Sequence, residues 1–151
     1  MLHVLFRVGE ADYVLPATEV AQMETFGGAT RVPGSAPHVA GLVQIRGRVV
    51  PVIDVRARFG LPGAERGLDA RIVVVRAGAR QVGLLVDRAR EVMSIPEDQF
   101  RPPPQVVGLQ AAGFVRDVAQ LGDRLLMRID VEKIIGQDSL PSEDRDGQAY
   151  A

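Results

Sequence analysis

Apolar residues recur along this chain at a spacing of two, in short runs broken by glycine and proline. Leu2, Val4, Phe6 and Val8 alternate with other residues, and Gly9-Glu10-Ala11-Asp12 reads as a turn into Tyr13-Val14-Leu15. Alternation at that period lines every second side chain along one face, the mark of a strand. Val49-Val50-Pro51-Val52-Ile53 predicts a buried strand, in which Pro51 points to an edge or a bulge. The runs 72–75 and 81–86 flank Arg76-Ala77-Gly78-Ala79-Arg80 and predict a hairpin. Residues 125–129 predict the last strand, followed by a short helix through Ile135 that stops at Gly136. Thr18 to Met23 are compatible with a helical turn capped by Thr18. Strands this short and this regularly punctuated predict an all-β fold of small barrels or a sandwich.

The two halves of the chain resemble one another. Gly9-x-x-x-Tyr13-Val14-Leu15-Pro16-Ala17-x-x-Val20 aligns with Gly78-x-x-x-Val82-Gly83-Leu84-Leu85-Val86-x-x-Ala89. Further on, Arg48-Val49-Val50-Pro51-Val52-Ile53-Asp54-Val55 aligns with Arg124-Leu125-Leu126-Met127-Arg128-Ile129-Asp130-Val131. The order is the same and the spacing similar, so the expected organisation is one domain over 1–136, built from two related halves of roughly 1–66 and 67–136. Residues 60–67 read as a flexible connection between the halves, and Arg101-Pro102-Pro103-Pro104-Gln105 as a stiff extended one. Residues 137–151 lack apolar periodicity and read as a flexible, polar, solvated tail.

Charge and composition narrow the functional classes. The net charge is −1, yet the stretch from Asp138 onward holds four acids and one base, leaving 17 basic and 15 acidic residues before it. That surplus is too small and too dispersed for a nucleic-acid footprint, and aromatics are 5% of the chain with no tryptophan. No apolar run approaches the ~18–20 residues of a spanning helix, so membrane insertion is not expected. The N-terminus alternates like a strand and offers no cleavable signal, and with no cysteine the chain fits a cytoplasmic setting.

The sequence carries no catalytic constellation. His3 and His38 lie far apart with no cysteine near them, so both are read as surface or loop residues, with no metal and no cofactor. Asp54, Asp87 and Asp130 each follow an apolar strand, a placement open to acid–base chemistry. The repeat of Asp54 at Asp130 favours capping of the turn that follows. Gly27-Gly28 lacks the lysine and hydroxyl residue of a phosphate loop, and Ser35, Ser94, Ser139 and Ser142 have no neighbouring base. A binding module is therefore expected, not an enzyme.

One segment stands apart. In Pro37-His38-Val39-Ala40-Gly41-Leu42-Val43-Gln44-Ile45-Arg46-Gly47-Arg48 and the strand after it, Arg46 and Gly47 interrupt two apolar runs at a tight turn. Glycine permits positive φ there, and an arginine so placed can hold a carboxylate or backbone carbonyls through its fork of donors. A solvated turn arginine reads equally well.

These residues resemble the CheW-like domain family. The family shows Pro-x-x-[Val/Ile]-x-Gly, then Leu-Arg-Gly, then Val-Val-Pro-Val-[Ile/Val]-Asp-Leu-Arg, seen here at 37–41, at Ile45-Arg46-Gly47 and at 49–56. Val82-Gly83-Leu84-Leu85-Val86-Asp87, Phe100-Arg101-Pro102-Pro103-Pro104 and Gly122-Asp123-Arg124-Leu125-Leu126 continue the resemblance in the family's order, over about residues 2–136. It implies two intertwined, five-stranded SH3-like β-barrels with a few short helices, around a hydrophobic groove. It implies a non-enzymatic adaptor that couples methyl-accepting chemotaxis receptor tips to the regulatory domain of a CheA-type histidine kinase, alongside other CheW-like proteins. The divergent alternative is a paralogue that binds receptors but not the kinase, or that serves a non-flagellar pathway.

By the same resemblance, Val20, Gln22, Gly41, Ile45, Arg46 and Gly47 occupy positions of partner contact or shape the contact surface, although Val20 and Ile45 read equally well as core. Arg46 is the leading candidate, as an arginine at a partly buried centre. Gln22 departs from the glutamate usual in the family, which is thought to pair with that arginine, so an ion pair is expected to be lost and Arg46 to turn elsewhere. Gln44 likewise replaces the asparagine common before Leu-Arg-Gly.

Overall fold

The computed structural model describes residues 1–63, 66–104 and 112–136, so the proposed tail and Gln105 lie outside the described residues. The first half contributes β1 (Leu2–Val8), β2 (Ala11–Pro16), β3 (Val20–Thr25), β4 (Val39–Ile45), β5 (Arg48–Asp54) and α1 (Val55–Arg58). The second contributes β6 (Arg71–Ala77), β7 (Arg80–Val86), β8 (Arg88–Ser94), β9 (Phe100–Arg101), β10 (Val115–Leu121), β11 (Arg124–Ile129) and α2 (Val131–Ile135).

One sheet runs β8-β1-β2-β11-β10-β9 and the other β3-β6-β7-β5-β4. With β9 set aside, the two orders become identical once the halves are exchanged. Each sheet takes two strands from one half and three from the other, so the division near residue 66 is not a division between sheets. β1 pairs antiparallel with β8, and β3 with β6. The parallel contacts also match: β11 lies beside β2, and β5 beside β7. The result is the expected intertwined pair of SH3-like barrels, one of them extended by the two-residue strand β9.

Period-two alternation sorts side chains between cores. In β6, Val73 and Val75 enter a cluster shared by both sheets, while Ile72 and Val74 fill the five-stranded barrel. In β2, Tyr13 and Leu15 join the shared cluster and Val14 turns into the six-stranded barrel with Leu5, Ile95 and Leu126. Such strands are buried on both faces, which is why 72–75 and 82–86 are continuous apolar runs. Phe59, behind α1, lies in the shared core against Tyr13 and Phe114, with ring centroids 5.3 Å from each.

Several local expectations are corrected. The helical turn is a single 3₁₀ turn at Ala17–Glu19 preceded by Pro16, with no side-chain cap from Thr18. Residues from Val20 onward are drawn into the β6 ladder instead, where Gln22 lies opposite Val74. Pro51 is not on an edge strand: β5 lies between β4 and β7, and Pro51 stands just ahead of Val52, Ile53 and Asp54, which pair with β7. The connection 60–67 is anchored where described, since Leu61 N–H donates to Arg56 O at 2.9 Å and Arg66 is held by two aspartates. His3 is not at the surface but fully buried.

Gly41 has a definite steric reason. Thr30 N–H donates to Leu42 O at 2.9 Å and Leu42 N–H to Thr30 O at 2.8 Å, clasping the 26–38 loop onto β4. Gly41 sits at φ 140°, and a Cβ there would stand 2.3 Å from the Thr30 carbonyl oxygen. Gly41→Ala is expected to lower unfolding free energy by about 2–3 kcal/mol in urea titration, with the loop rather than the barrels giving way.

Candidate functional site

The hairpin turns isolate one unusual residue. β1–β2, β6–β7 and β10–β11 each turn on a glycine with positive φ, namely Gly9, Gly78 and Gly122. The β4–β5 turn has Arg46 in that first place at φ 51°, followed by Gly47 at φ 79°. Positive φ at both positions is the type I′ geometry that matches strand twist and favours Asn-Gly. Arg46 is the one non-glycine residue with positive φ among the described residues. Holding an L-residue there costs roughly 1–2 kcal/mol, and strain of this kind gathers at functional sites.

Arg46 extends outward. Its side chain is 73% exposed, which corrects the expectation of a partly buried centre, and its Nε lies 3.8 Å from Glu24 Oε2. β3 and β4 are the opposite edges of the five-stranded sheet, so this pair spans the closed end of the barrel. The ion pair expected to vanish with Gln22 is thus present two residues further along β3. At this length and exposure it contributes at most about 1 kcal/mol. It biases the guanidinium and leaves it open to solvent.

The remaining sequence-derived positions divide. Gln22 is half-buried in β3, and Val20 at its start packs against the shared core. Ile45 is buried inside the five-stranded barrel, so its role there is packing. Gly41 accommodates the Thr30 backbone, and Gly47 forms the turn with open space around it. Met23 and Val49, each 39% exposed, add apolar area on β3 and β5. Glu24 carries no local signal as a partner of Arg46: only the pairing of β3 with β6 makes this stretch a strand, and strand alternation then puts residues 22 and 24 on one face.

Two other polar clusters are structural. Asp54 accepts N–H bonds from Arg56 and Ala57 at the start of α1, and Asp130 accepts from Lys133 N–H in α2, so both cap as the repeat implied. Asp87 is not part of a catalytic pair: it accepts Gly9 N–H at 2.7 Å, Arg56 Nε–H at 3.1 Å and Arg66 Nη1–H at 2.7 Å. Arg66 also bridges to Asp54. This clamp fastens β1–β2, α1 and the connection to one another.

In the six-stranded barrel Arg128 is 3% exposed and bidentate to Asp117, at 2.8 and 2.6 Å, with Glu97 at 2.8 Å. Its guanidinium carbon lies 3.7 Å from the Phe100 ring centroid. The Asp117 and Glu97 bonds raise its pKa despite burial. His3 Nε2 faces Arg128 Nη1 at 3.5 Å and must accept, so Nδ1–H donates to Met1 O at 3.1 Å. Burial foremost, with Arg128 assisting, holds the His3 pKa below 6.5. His38 is also shifted down, by burial and by Arg58. Among the described residues no three His, Cys, Asp or Glu side chains converge as a metal site, and no helix is long and apolar enough to cross a membrane.

The fold and this surface define a class: a duplicated, strand-exchanged double barrel whose buried charges are structural and whose strained residue stands on an exposed turn. The sequence profile of the CheW-like domain matches residues 2–139, and the chain belongs to that family. It is 31% identical over 139 residues to the chemotaxis protein CheW of Bacillus subtilis, covering 92% of this chain and 89% of that one. It is 26% identical over 147 residues to the chemotaxis protein CheW of Klebsiella aerogenes, covering 97% and 89%. The crystal structure of the scaffolding protein TtCheW from Thermoanaerobacter tengcongensis superposes with a TM-score of 0.83 at 28% identity, covering 93% of this chain and 98% of that one.

The two clusters respond differently to perturbation. Asp87→Ala, which leaves Gly9 N–H without its acceptor and removes one of the acceptors of Arg56 and Arg66, is expected to cost about 2 kcal/mol by denaturation. Asp69→Ala, removing the exposed pair with Arg88, should cost less than about 0.5 kcal/mol. Because the folded His3 pKa lies below its unfolded value, its contribution to stability is complete above pH 6.5 and lost as pH falls toward the folded pKa. Denaturation midpoints between pH 7.5 and pH 5 should therefore fall less for His3→Gln than for the parent.

Proposed function

We propose that this chain is a non-catalytic chemosensory scaffold of the cytoplasm, coupling methyl-accepting receptors to a CheA-type histidine kinase. The observation that carries this reading is Arg46, a guanidinium kept on a strained type I′ turn and 73% exposed beside Glu24. A turn that only reversed the chain would favour glycine or asparagine there. Membership of the CheW-like family and the likeness to a scaffolding protein support the same role. Gln22, Glu24 and Arg46 would then form a polar docking face, with Gly41, Ile45, Val20 and Gly47 shaping it from beneath and Met23 and Val49 adding apolar area around the strand edges.

A second reading rests on Gln22. With the carboxylate displaced to Glu24, the arginine is aimed differently, which favours a paralogue that keeps the receptor and has lost the kinase, or that serves a non-flagellar pathway. Both readings are tested by capture of receptor cytoplasmic fragments and of CheA-type kinases on the immobilised protein. Arg46→Ala should weaken binding by about 2 kcal/mol, roughly thirtyfold in Kd, with the fold intact. Retention of both partners establishes coupling, and receptor alone establishes the specialised adaptor. Undiminished binding of both by Arg46→Ala removes Arg46 from the interface.

A further inference from the structure

The two barrels are closed over different interiors. After β8 the chain runs through Ile95, the 3₁₀ turn Glu97–Gln99 and β9, where Phe100 lies opposite Ala119 and Arg101 opposite Val118. This strap covers the edge of β10, as the bridge of Thr30 to Leu42 covers the edge of β4. Beneath the strap, Arg128 pairs with Asp117 in the ladder of β11 and β10, where Val52 pairs with Gly41 in the other half. His3 and Ile72 each stand six residues before their turn glycine, Gly9 or Gly78. One barrel thus carries His3, Arg128 and Asp117 where the other is closed with Ile72, Val52 and Gly41. Apolar groups commonly replace a buried ion pair without loss of stability, so the architecture itself does not require these charges.

The charges instead fasten the strap. Arg128 reaches Glu97 on the 3₁₀ turn at 2.8 Å, lies over the Phe100 ring of β9 and holds Asp117 of β10. The His3 ring packs 5.2 Å from the Phe100 ring. Met1 O accepts both His3 Nδ1–H, at 3.1 Å, and Ile95 N–H, at 3.0 Å. Ile95, Glu97 and Phe100 therefore all depend on Arg128, on His3 or on the carbonyl that His3 holds.

His3 is the member of this cluster whose ordinary pKa lies near neutrality. Its neutral ring fits, with the Nε2 lone pair facing Arg128 Nη1–H at 3.5 Å. A proton on Nε2 sets donor against donor and cation against cation, where His3 is 0% and Arg128 3% exposed. The Met1 amino group adds to that repulsion and Glu97 opposes it. Yet Glu97 and Asp117 are both engaged by the guanidinium. An imidazolium gains Glu97 by drawing it away from Arg128, and Glu97 is carried on the strap, with its side chain 57% exposed.

We propose that segment 95–101 is an acid-sensitive latch: protonation of His3 releases it from Arg128, baring the β10 edge and the apolar side chains of Ile95 and Phe100. The five-stranded barrel, with Ile72 in place of the imidazole, stays closed.

Amide hydrogen exchange on the full chain tests this, after correction for the intrinsic pH dependence of exchange. Between pH 7.5 and pH 5.5 the amides of Ile95, Gln99 and Phe100 should lose protection by about fivefold to tenfold, because an opened imidazole of ordinary pKa takes up its proton over that range. Amides of 72–75 and 82–86 should keep theirs. His3→Gln retains an acceptor toward Arg128, and His3→Ile copies the other barrel; whichever folds should show no such loss. Protection unchanged with pH in the parent, an equal loss in a folded His3 variant, or an equal loss in both barrels would each overturn the latch.

Discussion

Strand exchange between the halves is the constraint on which the rest depends. A sheet lacking β8 would leave β1 with a bare edge, and one lacking β3 would do the same to β6. Each half therefore finishes the other's barrel, and β1 and β6 are paired on both sides within the molecule rather than left as open edges. The shared core follows from that exchange, since strands that cross over bury one face in a barrel and the other between the two. A half of about 65 residues has little core of its own; interleaving turns two marginal units into one cooperative domain.

Pseudo-symmetry makes departures from it informative. Asp54 and Asp130 cap equivalent helices, so the duplicated aspartate serves the backbone in both places. Elsewhere equivalent positions have parted. Gly41 admits the Thr30 carbonyl, whereas its counterpart Asp117 turns to Arg128, itself the counterpart of Val52. One barrel thus carries a close backbone crossing where the other carries a buried ion pair. Arg46 and Gly122 form a third such pair, and that difference lies on the surface.

Much of this was legible in the chain itself. Alternation and glycine punctuation located β1, β2, β5, β6, β7 and β11, and the half-to-half likeness anticipated two related units. β3 was hidden because its residues allow either a strand or a turn, and only pairing with β6 decides between them. Pro51 misled because proline in a strand is usually marginal, whereas here β7 begins to pair one residue later. His3 and the Arg56–Asp87–Arg66 clamp depend on contacts between residues far apart in sequence, which no local pattern encodes. Arg46 and Gly47 were visible as an interruption, but their exposure and the displaced acid, Glu24, required the closed barrel.

The turn at Arg46 leaves the molecule with an internal conflict. Glycine at that position would relax the backbone and remove the guanidinium in one step, so on the docking role proposed for Arg46 folding and recognition would favour different residues at the same codon. A lineage released from its partner would drift toward glycine there and gain stability as it lost the contact. If Arg46 docks a partner as proposed, a bulky cation on this left-handed turn is a residue that the fold alone would discard and the surface alone retains.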